Sequence, residues 1–366
     1  MERVKRLVFT VTNDLSYDQR MQRICRSLCT AGYSVQLIGR VHSSSIPLST
    51  EPFQQTRLKC WFNKGKLFYA EYNLRLFFHL LAQKFDAVCA IDLDTIVPVY
   101  YAGKLKGAKL AYDAHELFTE VPEVVRRPAV QRVWQWVERR FLPKFNLVYT
   151  VSQGIVEIFH NKYGVQAGLI RNVPLSTSQE ITPPSGEPII LYQGALNEGR
   201  GLEHLIPAMA NIPARLLLAG EGDLSALLRQ QVKNLGLQNK VQFLGYLPPQ
   251  QLKAHTAKAT IGVNLLENKG LSYYFSLSNK FFDYLQAGVP QLCINFPEYA
   301  AINKQCEVAL LVENCSTGAI KSGLERLLFD HTFYAHLQQN CKQGRKQFCW
   351  EEEQLKLLAY YEQLFR

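Results

Sequence analysis

The chain of 366 residues has no long apolar run; stretches such as residues 189–192 and 216–219 are only strand-length. A membrane-spanning helix needs about 20 such residues, so none is expected. The nine cysteines, an odd number, form no C-x-x-C pair and join no His/Cys cluster. That argues against structural zinc and a disulfide framework and predicts a reduced, cytoplasmic compartment. Low-complexity segments and solenoid repeats are absent as well. Met1 to Arg6 run directly into a strand pattern, without the signature of a signal peptide. There is no zinc-finger spacing, RNP-like motif or basic recognition helix, so nucleic acid is not an expected partner.

What is present is alternation. The length and the 47% apolar content suffice for two domains with full cores. Strand patterns fall near residues 7–11, 35–38, 87–91, 109–112 and 147–151, with helical patterns such as 17–31 and 69–84 between them. A second alternating series runs from Ile189 to about Phe348. This predicts an α/β protein of two Rossmann-like, doubly wound parallel-sheet domains. The first is expected over residues 1–175 and the second over 189–349. The linker falls at 176–188, within a stretch from Pro174 to Pro188 that holds four prolines and no periodicity. A helix over 350–366, with Leu355, Leu358, Ala359 and Tyr361 spaced for burial, is expected to pack back on the first domain. Ligands of such sheets bind at the carboxyl ends of the strands. Two domains facing across a cleft would therefore put the active site in that cleft.

Positive charge is concentrated in the first half. Residues 1–180 hold 24 Lys and Arg against 15 Asp and Glu, and residues 181–366 hold 17 against 16. The excess predicts an anionic partner for the first domain: a membrane surface or a lipid-linked phosphate. In the basic stretch 126–144, Val130, Val133, Trp134, Val137 and Phe141 share one helical face, with Arg132 and Arg139 opposite. That pattern suits a membrane-surface helix and a core helix with a solvated basic face equally well.

Three segments of the second half carry ligand chemistry. In the first, Tyr273 to Leu292, Leu277, Ser278 and Asn279 precede a helical run opened by Lys280, and Gly288 and Pro290 stop it. First-turn amides of a helix have no partner within the helix, so such an end holds anions, phosphate above all. Asp283 lies one turn in, where a carboxylate could reach a pair of ribose hydroxyls. A capped surface helix ending at a Gly-Pro turn has the same letters. The second segment is a buried strand, 189–193, followed by Gly194 and a loop reaching Arg200, a forked phosphate donor. The third repeats strand, glycine and helix around Gly220. Glycine at a strand end lets a ligand approach the backbone closely.

The order and spacing of these segments resemble the retaining glycosyltransferases of family 4, which have the GT-B fold. The resemblance extends through Asp18-Gln19-Arg20-Met21, Tyr112-Asp113-Ala114-His115-Glu116 and Ile170-Arg171-Asn172-Val173-Pro174, and so covers nearly the whole chain. It implies a nucleotide diphosphate sugar as donor, a glycan or lipid-linked hydroxyl as acceptor, and no further cofactor. It also implies that side chains and the helix end neutralise the diphosphate without a metal. His115 would then contact the donor sugar through backbone or ring, while Glu116 would orient His115 or bind an acceptor hydroxyl. His115 as a loop histidine satisfied by local hydrogen bonds is the other reading. Asp18 and Arg20 would lie on the acceptor side, although Asp18 at a helix start also suits the helix dipole. Asp92 and Asp94 spell D-x-D but read as a helix cap. Two positions depart from the family pattern: Ala195 stands where an Arg is usual, and Phe275 where a carboxylate is usual.

The reading is a metal-independent, retaining transferase, cytoplasmic and peripheral on the inner face of the membrane. Two rivals stand beside it. A nucleotide-sugar 2-epimerase of the same fold would interconvert sugars without an acceptor. A degenerate binding subunit would turn nothing over.

Overall fold

The computed structural model describes residues 3–43, 45–178, 181 and 186–366. Within the expected linker, Gln179, Glu180 and Thr182 to Ser185 lie outside the described residues. The chain divides into two compact units: residues 1–171 together with 353–366, and residues 172–352.

The first unit contains β1 (Arg6–Thr10), β2 (Ser34–Arg40), β3 (Gln54–Leu58), β4 (Ala87–Ile91), β5 (Lys109–Ala114), β6 (Leu147–Thr150) and β7 (Gly168–Leu169), in the order β3-β2-β1-β4-β5-β6-β7. The second contains β8 (Ile189–Gln193), β9 (Arg215–Ala219), β10 (Val241–Gly245), β11 (Ile261–Asn264), β12 (Gln291–Ile294) and β13 (Ala309–Val312), in the order β10-β9-β8-β11-β12-β13. All the strand pairs are parallel. Both units are Rossmann-like, as the alternation predicts.

Parallel sheets are covered on both faces, so their central strands are apolar throughout. β4, Ala-Val-Cys-Ala-Ile, is buried at every position. β3, Gln-Gln-Thr-Arg-Leu, sits at the sheet edge half-buried, and no strand was expected there because an edge needs few apolar residues. Strand order reverses between β1 and β4 and between β8 and β11. At such points neighbouring loops diverge and leave room for a ligand beyond the strand ends.

The helix Trp350–Phe365 supplies residues 353–366 to the first unit's core. Its buried stripe is Glu353, Leu357, Tyr361 and Leu364, with Leu355 and Ala359 exposed. The expected face was thus rotated. Polar Glu353 occupies a core position because Arg171 donates to it from both its backbone and its guanidinium, at 2.9 and 3.3 Å. The Tyr361 ring packs against Phe9, and its hydroxyl lies 3.3 Å from that of Tyr149. The helix Pro128–Phe141 also differs from its expected face. Val137 and Phe141 are buried, and Trp134 packs on Phe118 and Tyr69, but Val133, expected on that face, is 59% exposed; Trp136, which lies off the apolar stripe, is 62% exposed as its position predicts.

Candidate functional site

Two polar clusters stand at the two reversal points. In the second unit, Gly194 follows β8 and Gly220 follows β9, both at left-handed φ, 131° and 146°. A side chain at Gly220 would run into the Gly194 carbonyl, so these two loops touch backbone to backbone. Here the glycines are a steric requirement.

Lys280 reaches this turn from the first turn of the helix Asn279–Ala287. It is only 8% exposed, and its Nζ lies 3.6 Å from where a Cβ on Gly194 would be. The ammonium stands 4.2 Å over the Tyr192 ring, and the Arg200 guanidinium 4.9 Å over Tyr273. Arg200 Nε is buried with no hydrogen-bond partner. Among the described residues no carboxylate pairs with Lys280. Burial first, and then the charge of Arg200, hold its ammonium well below the usual lysine range. Aromatic faces attract a cation but cannot neutralise it. Lys280 and Arg200 thus stand together near the glycine turn, and among the described residues neither forms an ion pair with a carboxylate.

The helix start is open in the same way. Ser278 is the N-cap residue, yet its side chain makes no cap bond: Oγ donates to Asn264 Oδ1 at 2.8 Å. The Ser278 amide donates to the Tyr299 hydroxyl at 3.1 Å, and Leu277 is buried below. The amides of Asn279 and Lys280 are left at the helix start without a side-chain cap. Asp283 is half-buried one turn along and accepts from Gln193 Nε2 at 2.8 Å, while Gln193 Oε1 accepts from Thr256 Oγ1. Gly194, Gly220, Leu277, Ser278, Asn279, Lys280, Arg200 and Asp283 all belong to this unit. The Ala195 carbonyl accepts from the Tyr192 hydroxyl. Phe275 packs its ring on Tyr274. The aromatic supports Tyr192 and Tyr273 lay within segments already singled out, but nothing marked them as cation platforms.

In the first unit, His115 follows β5 and Asp92 follows β4. Asp92 Oδ1 accepts the His115 backbone N–H at 2.8 Å, and Oδ2 stands 3.6 Å from ring Nδ1. Asp113 Oδ2 lies 3.4 Å from ring Nε2. Burial opposes the imidazolium, but the two carboxylates prevail and raise His115 to about 9. Burial, assisted by the charges of Glu116 and Asp113, pushes Asp92 up to about 7 even with His115 beside it. Asp94 also rises to about 7, by burial and the nearby Asp92, and accepts from Thr12 Oγ1 at 2.6 Å. Glu116 is exposed at the rim.

Asp92 is therefore not the helix cap it was expected to be. It makes no cap bond, and its carboxylate faces His115. Arg20 differs as well. At 3% exposure it holds Asp113 through two bonds of 2.8 and 3.2 Å and donates to the Ile170 carbonyl at 3.0 Å. That guanidinium lies beneath the cluster and does not face an acceptor. Asp18 caps the helix Gln19–Thr30, accepting from the Met21 amide at 3.0 Å and from Asn13 Nδ2 at 2.7 Å.

Two parallel, Rossmann-like sheets, one with Lys280 and Arg200 at a glycine turn, define a two-unit α/β protein. The chain belongs to the glycosyltransferases: residues 176–346 match the family described as Glycosyl transferases group 1, and residues 17–176 the Glycosyl transferase 4-like domain. An uncharacterized glycosyltransferase of Methanocaldococcus jannaschii is 28% identical over 170 residues, 45% of this chain and 42% of that protein. The match therefore spans less than half of that relative's length. Among solved structures, sucrose-phosphate synthase of Thermosynechococcus elongatus superposes with a TM-score of 0.81 at 19% identity, over 99% of both chains. Anabaena HepE, solved with UDP-glucose, gives 0.78 at 14% identity over 98% of this chain and 100% of that one. The fold is GT-B.

Proposed function

We propose that this chain transfers a hexose-type sugar from a nucleotide diphosphate sugar to a hydroxyl acceptor, with retention at the anomeric carbon and without a metal. The observation that carries this reading is the buried Lys280 beside Arg200, aimed at the Gly194–Gly220 turn without a carboxylate partner. In the reaction the anomeric C–O bond to the diphosphate breaks, the acceptor oxygen bonds to that carbon, and its proton passes to the departing diphosphate oxygen. Negative charge grows on the departing diphosphate, where preorganised cations act most strongly. Two side-chain cations and an uncapped helix start supply charge that a metal supplies elsewhere. Asp283 is assigned to the ribose hydroxyls, His115 to the transferred sugar, and Glu116 to orienting His115 or binding an acceptor hydroxyl. UDP is the first nucleotide to test, because the Anabaena HepE structure holds UDP-glucose.

The decisive experiment combines calorimetric titration of UDP with an assay of UDP-glucose turnover, both in excess EDTA. Expected are UDP binding and acceptor-dependent UDP release. Sugar interconversion without an acceptor would favour the epimerase, and binding without turnover the binding subunit. Loss of UDP binding in EDTA would overturn metal independence.

The acceptor is proposed to be a glycan or lipid-linked hydroxyl met at the cytoplasmic face of an anionic membrane. No helix among the described residues is long and apolar enough to cross a bilayer. On the helix Pro128–Phe141, however, Ala129, Arg132, Val133 and Trp136 line a shallow depression of about 360 Å³. Exposed Trp and Val flanked by arginines suit an interfacial helix. Flotation of the whole chain on anionic vesicles should succeed at ~0.01 M salt and fade by ~0.15 M, as the Debye length shrinks from about 30 to 8 Å. No flotation at low salt would remove the membrane from this reading.

A further inference from the structure

Asp92 is one of two non-glycine residues at positive φ among the described residues, at φ 57° and ψ 175°. That backbone region is occupied essentially by glycine, and other residues hold it only where their surroundings enforce it. The compensating contacts are visible. The Asp92 amide donates to the Asp113 carbonyl at 2.9 Å, and its carboxylate accepts the His115 amide at 2.8 Å. The same carboxylate faces ring Nδ1, and Asp113, clamped by Arg20, faces Nε2. The imidazole is gripped at both nitrogens. It is 24% exposed along its side chain, while Nε2 itself is buried without a hydrogen bond. Neither nitrogen is positioned to donate to an incoming sugar.

We propose that Asp92 is the positioning residue for His115, its strained backbone retained because only a carboxylate there fixes both the amide and the ring of His115 as a cation. The ring then presents charge and shape beyond β5, while the His115 backbone amide stays bonded to Asp92. The inference deepens the proposed role of His115 and rests on that reading only for what the ring serves. The charged groups facing the ring are Asp92 after β4, Asp94 in the following turn, Asp113 of β5, Glu116 of its own loop and Arg20 beneath.

The test is NMR titration of the histidine rings in the full chain, with His115 assigned by a His115→Gln variant. Asp92→Asn keeps an acceptor for the amide but loses the charge. Asp92→Gly loses both and is at ease in the backbone conformation. In the parent, His115 is expected to titrate near 9. In both variants its midpoint should fall by about one pH unit or more. The melting temperature of Asp92→Gly should stay within about 3 °C of the parent or rise, since strain is relieved. Unmoved midpoints in both variants, or a parent His115 titrating at the ordinary histidine value, would overturn the proposal. So would an Asp92→Gly variant that is strongly destabilised, because Asp92 would then be a structural bond and nothing more. Absence of sugar transfer in the parent would sink the proposed function and leave this titration standing.

Discussion

The two units place a cation at the same kind of spot, beyond the strand ends at a sheet reversal, and treat it in opposite ways. His115 sits between two carboxylates, with Arg20 balancing one of them, so the cluster is neutralised in advance and His115 gains protons. Lys280 has an aromatic ring below it, another cation beside it and no acid, so it sheds protons more readily than an ordinary lysine. A closed electrostatic circuit fixes geometry; an open one waits for a ligand. Burying a charge without its partner is destabilising, so an anion bound at Lys280 would be expected to relieve that cost.

The largest effect should come from opening the closed side. Asp113→Asn leaves Arg20 buried without its counter-charge, which is expected to cost about 3–5 kcal/mol. Thermal unfolding should show a fall on the order of 10 °C, and a loss below about 1 kcal/mol would erase the contrast.

On the open side the mirror experiment is Lys280→Met. It removes a buried amine whose charged form is costly in that surrounding, so the ligand-free protein should melt no lower than the parent. UDP affinity should fall by roughly 1.5–3 kcal/mol, about ten- to a hundredfold. Arg200→Gln should weaken UDP similarly, and both should spare UMP. Unchanged UDP affinity in both variants would leave Lys280 without its assigned ligand.

The pH dependence separates the clusters by sign. Folding raises His115 from 6.5 to about 9, so its stabilising contribution is complete below about 6.5 and disappears as pH passes through about 9. Lys280 is depressed, so its penalty is fully present below its native pKa, shrinks across the window where the unfolded chain still holds a proton that the native lysine has lost, and vanishes above about 10.5. UDP should consequently draw a proton onto Lys280, detectable by calorimetry in buffers of different ionisation enthalpy. Zero proton uptake at every pH from about 7 to 9 would mean the lysine is already charged.

The smallest effect belongs to Asp283→Ala, about 1 kcal/mol on UDP and less on its 2′,3′-dideoxy form. Equal losses on both would assign Asp283 to Gln193 alone.

Local chemistry was legible in the sequence. Glycines at strand ends, a polar helix start and the lengths of β4 and of the helix Trp350–Phe365 are each written within a dozen residues. The grip on His115 was not, because its members come from three separate places: Asp92 and His115 are 23 residues apart, and Arg20 and Asp113 are 93 apart. Read locally, Asp92-Leu93-Asp94 suggests a cap, and Arg20 a residue on an exposed first turn. Burial phase also escaped the pattern. Leu355 and Ala359 face outward because Glu353, with Arg171 to satisfy it, holds a core position that apolar spacing assigns elsewhere.

The helix Trp350–Phe365 also sets an order of events during synthesis. Residues 1–171 leave the ribosome first, but their core lacks Leu357, Tyr361 and Leu364 until residues 172–352 have been made. Nascent chains generally complete their N-terminal domain first. Here the second unit can close while the first still exposes Phe9 and Tyr149, the rings Tyr361 will cover. The N-terminal unit is the last to be finished. A released chain truncated just before Glu353 would therefore carry the second unit tethered to a first unit whose core is incomplete.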